Sequence, residues 1–318
     1  MKVFSKGILC ITLALTACSQ SHPKSSQALS LKDCPEIQNL EPLFEAETPR
    51  VIIVGESHGM QEPPALVEAL LCHSLARGFK TNLALEVSDD AGLYMSYLDT
   101  EGRDDDKLAL FDDWAWKSEF TDGRSSEAML SLIDKARSYM TAGQDLSFTA
   151  FKADDLNQEN FDDRNSYTQA YEKKMAENIL VSSQSAQKTI ALVGNLHARR
   201  DRRERGTSSY DLMAKHMPAP YTSSFFIVHK GGTAWNCRSG KPEDCKQYKS
   251  GAYVGADSDL AKSEILQIMY NEDEAEIAPF IGRQYQKDWY DGVIYVGDVT
   301  ASPPANRDGR VPYVEDEK

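Results

Sequence analysis

Arg50-Val51-Ile52-Ile53-Val54-Gly55-Glu56-Ser57-His58-Gly59 decides the fold of this chain. Four apolar, mostly β-branched residues run into a glycine. An unbroken apolar run of this length reads as a strand buried on both faces, the signature of a parallel sheet. Such a strand delivers Glu56, Ser57 and His58 at its carboxyl end, where open α/β sheets bind ligands. Pro63 and Pro64 then open an apolar run from Ala65 to Leu75 at helical spacing, and proline suits the first turn of a helix. The stretch repeats as Thr189-Ile190-Ala191-Leu192-Val193-Gly194-Asn195-Leu196-His197, and Leu83-Ala84-Leu85-Glu86-Val87 is a third apolar run carrying an acid. If the three are strands of one sheet, Glu56, His58, Glu86 and His197 converge. Two histidines and two carboxylates at one sheet edge can do acid/base work, or His58, Glu86 and His197 can hold a divalent metal ion.

Working outward, residues 91–143 read as a helical insertion between sheet strands. Leu93, Tyr97, Leu108, Leu110, Phe111 and Trp114 form one periodic set, and Ala128, Leu132, Ile133, Ala136, Tyr139 and Met140 another. Trp114 and Trp116 face either a ligand or the core. Asp104, Asp105 and Asp106 form a solvated loop rather than a calcium site, since no EF-hand spacing accompanies them. Leu146–Phe151 is a strand followed by Asp154 near the same edge, and a helix runs from about Asp163 to Ser182. After His197 comes the one strongly basic run, Arg199 to Arg205, in which Arg199 or Arg200 can fix an anionic substrate group. Ser223–His229 reads as a strand, with His229 structural. Ile265–Tyr270 reads as a short helical patch and Gly292–Gly297 as a strand. His73 and His216 read as ordinary helix residues. The expected class is α/β: a mostly parallel central sheet flanked by helices, with the helical insertion and a C-terminal disulfide hairpin.

The net charge of −14 and a pI near 4.9 argue against nucleic acid as a partner. Lys2 and Lys6, then the short apolar stretch Gly7–Leu15, form a targeting segment. Leu15-Thr16-Ala17-Cys18 resembles a bacterial lipoprotein cleavage box. That resemblance implies removal of residues 1–17, lipidation of Cys18 and, with Ser19 next, an outer-membrane location facing the periplasm. Residues 18–33 then form the tether, 34–300 the domain, and 301–318 a disordered tail. Export leaves Cys34, Cys72, Cys237 and Cys245 in an oxidising compartment. Cys237 and Cys245 bracket a Ser-Gly-Lys-Pro turn and are expected to pair, with Cys34 joined to Cys72.

Four blocks occur in order: Gly55-Glu56-Ser57-His58-Gly59, Ala84-Leu85-Glu86, Met175-Ala176-Glu177-Asn178-Ile179 and Gly194-Asn195-Leu196-His197-Ala198-Arg199. They resemble the superfamily that joins Tiki-type proteases, erythromycin esterases and ChaN-like haem-binding lipoproteins, over roughly residues 48–200. The resemblance implies a parallel α/β core with Glu56, His58, Glu86 and His197 at the functional positions. It implies one of three activities: metal-dependent proteolysis, macrolactone opening, or haem and iron binding. Three positions depart from the pattern. Ser57 directly precedes His58 where the esterases have an extra Thr. Gly59-Met60 stand where the haem branch has Asp-Asn. Tyr171-Glu172 stand where an Arg–acid pair precedes the Met-Ala step. A hydrolase-like site acting on a small-molecule or peptide ligand is the leading expectation. A lipoprotein ligating haem through His58, His197 or one of the 14 tyrosines is the alternative, and an extinct site on a scaffold the third. No Gly-x-Ser-x-Gly elbow is present to supply a serine nucleophile.

Overall fold

The unbroken apolar runs do form the middle of a sheet. The computed structural model describes residues 29–45, 48–88, 91–99, 109–111, 114–118, 122–239, 241–263, 265–271 and 287–306. Cys18 and its cleavage box lie outside these residues, as do Asp104, Asp105 and Asp106. The sheet has eight strands: β1 (Ile37–Gln38), β2 (Val51–Glu56), β3 (Thr81–Leu85), β4 (Leu146–Ala150), β5 (Lys188–Gly194), β8 (Thr222–Val228), β11 (Leu266–Tyr270) and β12 (Gly292–Tyr295). Two hairpins lie outside it, β6 (Arg202–Arg205) with β7 (Ser208–Asp211), and β9 (Gly232–Cys237) with β10 (Cys245–Ser250).

The spatial order is β1-β11-β12-β8-β2-β5-β3-β4, and every pairing from β12 to β4 is parallel. Only β11 runs against its neighbour β12. The chain passes from β2 past the later position of β5 to β3 and β4, then returns to insert β5 between β2 and β3. After that it continues on the far side of β2. The carboxyl ends of β2, β5 and β3 are therefore adjacent, at the place where the strand order reverses. Open sheets bind ligands there because the connections leave a crevice.

Strand alternation divides the core in two. Ile52, Val54, Leu83, Leu85, Ile190, Leu192, Phe225 and Ile227 face helices α1 (Glu62–Ala76), α2 (Ala91–Asp99) and α4 (Glu127–Thr141). Val51, Ile53, Ala84, Ala191, Val193, Phe226 and Val228 face helix α5 (Arg164–Ser183) and the turn around Met213. Ile52 and Val54 are fully buried, and cutting such a residue to alanine typically costs about 2–5 kcal/mol. Pro63 and Pro64 stand in the first turn of α1, and Asp163 caps α5 by accepting from the Ser166 amide at 2.9 Å. The short helix α3 (Trp114–Lys117) completes the described part of the insertion. Trp116 is core: it is 1% exposed and its indole N–H donates to the Tyr94 hydroxyl at 2.9 Å.

Both expected disulfides are present, Cys34–Cys72 and Cys237–Cys245. The second joins the paired ends of β9 and β10, which makes the C-terminal hairpin a covalently closed ribbon. Two expectations are corrected. Leu266–Tyr270 is not helical but is strand β11, sandwiched between β1 and β12, so sheet pairing overrides the helix-forming preference of Leu, Gln and Met. The described start of the supposed tail, residues 301–306, is packed. Ala301 and Ser302 are buried, the Pro303 carbonyl accepts from the Glu127 amide at the start of α4, and Ser302 Oγ accepts from the Ala128 amide. The segment thus satisfies amides that a helix N-terminus leaves open.

Candidate active site

Glu56, His58, Glu86 and His197 meet in one place. Glu56 ends β2, is 3% exposed, and accepts from His58 Nδ1 at 2.9 Å. The His58 ring turns back onto Glu56 two residues earlier, and Ser57 between them lines the same cleft and accepts a long bond from Asn195 Nδ2 at 3.4 Å. Glu86 follows β3 and is 5% exposed. Its Oε2 accepts from the Gly194 amide at 2.7 Å, which fixes it across the end of β5. His58 Nε2 lies 3.9 Å from Glu86 Oε2, and His197 Nε2 lies 3.9 Å from Glu86 Oε1. These separations are too long for hydrogen bonds and leave Nε2 of both rings available to a ligand.

Three residues that join this cluster were not singled out by the sequence. Glu172 of α5 is 1% exposed and accepts from His197 Nδ1 at 2.8 and 2.9 Å, with a further bond from the Met213 amide at 2.9 Å. A signal for it exists: Glu172, Met175, Ala176 and Ile179 form one buried helical face, so an acid stands in an apolar stripe. It is also the acid of the Tyr171-Glu172 pair. Arg124 and Asp122 come from the insertion. Arg124 Nη1 donates to Glu86 Oε1 at 2.7 Å, and its Nε donates to Asp122 Oδ1 at 3.1 Å. Gly123 between them has φ +101°, and an added Cβ would lie 2.2 Å from the Gly59 nitrogen. Gly59 itself has φ +86°, and a Cβ there would lie 2.0 Å from the Trp235 carbonyl oxygen. Glycine is needed at both positions because three backbones cross there. This is the physical reason for Gly59 in place of a side chain after His58.

Arg199 and Arg200 do not line the cleft. Arg199 lies over the Trp289 ring at 3.4 Å and donates to Asp201 at 2.8 Å. Arg200 donates to Asp291 at 2.8 and 2.6 Å and to the Thr222 carbonyl. Their expected substrate-binding role is thus replaced by a structural one, and the guanidinium at the site is Arg124. Asp154 pairs with Lys152 rather than with the histidines. His229 is buried beside Tyr253, and burial pushes its imidazole down to about 4.

The cleft has a volume of about 350 Å³ and is lined by Glu56, Ser57, His58, Asp122, Gly194, Asn195, Leu196, His197 and Asn236. Leu196 is the sole large apolar lining residue, and Asn236 comes from the disulfide-closed hairpin, which is pinned by the Trp235 amide donating to the Gly59 carbonyl at 2.8 Å. Burial opposes charge on His58, but the Glu56 hydrogen bond and charge, with Glu86 and Asp122 behind it, outweigh burial and push it up to about 9. His197 is raised against burial by Glu86 and Glu172 and held back by the charge on His58. Glu86 is lowered despite its burial, by both histidines, Arg124 and the Gly194 amide.

This shift carries a stability prediction. A histidine raised from 6.5 to about 9 binds its proton more tightly when folded. Its contribution is complete below pH 6.5 and is lost as pH rises through about 9, amounting to roughly 3 kcal/mol at most. Thermal melts of wild type and His58→Gln are expected to differ most below pH 6.5 and to converge towards pH 9.5. A gap that widens with pH would contradict the arrangement.

The donor set does not fit a metal ion as arranged. Glu86 accepts from Arg124 at Oε1 and from the Gly194 amide at Oε2, and the fixed positive charge of the guanidinium 2.7 Å from Oε1 opposes a second cation there. Among the described residues, no group of three or more His, Cys, Asp or Glu side chains is placed to hold one.

No protein-family model matches the chain, and no curated protein matches it. Solved structures do. One is described as a succinoglycan biosynthesis protein (TM-score 0.61, 10% identity, covering 83% of this chain and 92% of that one). Another is a protein from Bacillus cereus (TM-score 0.57, 13% identity, 89% and 96%). A third is a histidine-to-asparagine mutant of the erythromycin esterase EreC in its open conformation (TM-score 0.54, 11% identity, 83% and 94%). The chain shares the fold of erythromycin esterase. The erythromycin-esterase fold accounts for the parallel sheet and the crevice at its carboxyl edge; at these identities it says nothing of chemistry, which rests on the residues above.

Proposed function

We propose that this protein is a hydrolase that activates water with a histidine pair, acting on an ester or related acyl bond. The observation that supports it is the duplicated device at the sheet edge: two imidazoles, each with Nδ1 on a buried glutamate and Nε2 turned to the cleft. A carboxylate behind Nδ1 fixes the tautomer and orientation of the ring and stabilises the imidazolium it becomes, the arrangement of carboxylate-backed bases.

Each imidazolium opposes charge on the other, so the pair can hold a single proton; we assign the neutral ring, the base, to His197 and the protonated ring, the acid, to His58. His197 Nε2 then takes a proton from water as its oxygen attacks the acyl carbon. His58, still an imidazolium, gives its proton to the leaving oxygen. The amide of Asn236 is a donor for the carbonyl oxygen as it gains charge. Both imidazoles, Arg124 and the Gly194 amide keep Glu86 ionised, and its charge in turn favours the imidazolium form of either ring. Ser57 lines the cleft, but its hydroxyl accepts from Asn195 Nδ2 and, among the described residues, is not bonded to an imidazole that would activate it, so it is given no part as nucleophile. No step runs through a metal ion.

The haem-binding reading is second. Its support is the pair of Nε2 atoms facing a cleft. Against it, the lining has one large apolar residue for a porphyrin to rest on and several charged ones. The test is a panel of chromogenic acyl esters of increasing acyl length, with the purified domain and with ethylenediaminetetraacetate present and absent. Turnover unaffected by chelator, rising with pH and falling above about 9 as His58 loses its proton, is the expected result. No turnover on any ester, together with a Soret band on haem addition, would overturn it in favour of haem.

We also propose that the enzyme works in the cell envelope, anchored through Cys18. The support is the Leu15-Thr16-Ala17-Cys18 box and the two disulfides, which suit an oxidising compartment. Replacing Cys18 with Ser is expected to move the protein from the membrane to the soluble fraction or to block its processing. An unchanged, fully processed membrane form would rule the anchor out.

A further inference from the structure

The histidine pair is built in the way that metal-binding histidines are, yet the carboxylate between them is occupied by a guanidinium. Histidines that ligate metals pass Nδ1–H to a carboxylate and present Nε2 outward. His58 does so with Glu56 at 2.9 Å and His197 with Glu172 at 2.8 Å. Each Nε2 stands 3.9 Å from an oxygen of Glu86. Ligands at about 2.1 Å in a tetrahedral shell lie about 3.4 Å from one another, so each histidine is about half an ångström further from its nearest Glu86 oxygen than two ligands of one ion would be. What stands in the way is Arg124, 2.7 Å from Glu86 Oε1, with the Gly194 amide 2.7 Å from Oε2.

Arg124 is not an incidental neighbour. Asp122 grips the other side of its guanidinium, and Gly123 with φ +101° presses the loop against the backbone of His58 and Gly59, where an added Cβ would meet atoms at 2.2 to 2.9 Å. A guanidinium carries a fixed charge and has no lone pair to ligate with. It supplies one positive charge to Glu86 at every working pH, as a metal would, but leaves both Nε2 atoms free for protons.

We infer that Arg124 is an internal cation standing in for a divalent ion. It neutralises Glu86, reserves His58 and His197 for proton transfer, and keeps metal out of the site. The proton-transfer clause rests on the hydrolase reading, whereas the exclusion of metal concerns what the site holds and is tested apart from it.

The test is zinc binding by calorimetry and elemental analysis, on untagged protein. Wild type and Arg124→Lys, which keeps the charge, are expected to bind no stoichiometric zinc. Arg124→Met vacates Glu86 and is expected to take up one zinc per chain, about 100-fold or more tighter than wild type. The double variant Arg124→Met/Glu86→Gln is expected to lose it again. Two results would overturn the inference: a wild-type protein that holds one zinc which Glu86→Gln abolishes, or an Arg124→Met protein with a wild-type circular dichroism spectrum that gains none. Should Arg124→Met fail to fold, Arg124→Gln serves in its place, and the wild-type arm with Glu86→Gln still decides.

Discussion

Alanine at His58 or at His197 is expected to lower kcat for ester hydrolysis by about 10³-fold, within the 10²–10⁴ range of a lost general acid or base. In the proposed mechanism the two rings serve one turnover, one taking a proton and one giving it. The double variant is therefore expected to fall little below either single one, since removing one member already disables the unit. Glu172→Gln tests the same machinery from behind. Glutamine keeps one acceptor oxygen where glutamate has two, so its NH₂ must face either His197 Nδ1, which then needs the other tautomer, or the Met213 N–H, which is left without an acceptor, and the negative charge that stabilises the imidazolium is lost. A large fall in kcat with KM nearly unchanged is expected, and the fall is read by steady-state kinetics alongside a circular dichroism spectrum. Additive effects of His58→Ala and His197→Ala, or wild-type rates in either, would disprove a shared proton circuit.

Gly194→Ala is expected to be as damaging, for a steric reason. Gly194 has no unusual φ, so alanine fits its backbone. The added methyl would lie 3.1 Å from His58 Nε2, 3.4 Å from Glu86 Oε2 and 3.5 Å from His197 Cδ2. That point is within hydrogen-bonding reach of His58 and Glu86, where a water or a substrate oxygen has to sit. One methyl thus fills the reaction space while the sheet keeps its pairing. Kinetics with a melting curve decide the matter: a loss of at least 10²-fold in kcat/KM with a small change in Tm is expected. Full activity in Gly194→Ala would place the reacting atoms elsewhere.

Much of this was legible in the chain. Parallel strands buried on both faces read as unbroken apolar runs, so Val51–Val54, Leu83–Leu85 and Ile190–Val193 were visible as strands, and Glu56, His58, Glu86 and His197 as their endings. The strand order was not legible. It is the return of β5 between β2 and β3 that turns four strand endings into one site, and packing of the layers on both faces decides it. Glu172 was half legible, as an acid in an apolar helical stripe. Arg124 left no trace, because its position depends on a glycine in the left-handed region and on backbone crossings between segments far apart in sequence. The basic run after His197 misled because its charges are answered by Asp201 nearby and by Asp291 some 91 residues on. Leu266–Tyr270 misled because five residues cannot show whether a sheet edge awaits them.

The bond between Cys34 and Cys72 has a mechanical consequence. It closes residues 34–72 into a covalent ring that contains β1, β2, Glu56, His58 and most of α1. A pull on the chain ahead of Cys34 passes through sulfur directly into α1 at Cys72, and residues 35–71 carry none of the load. Force that would otherwise unzip β1 from β11 and then draw β2 out of the sheet is shunted past both. One of the two clustered histidines, His58, therefore sits on a segment that tension from the amino-terminal side cannot stretch, whatever the protein is fastened to.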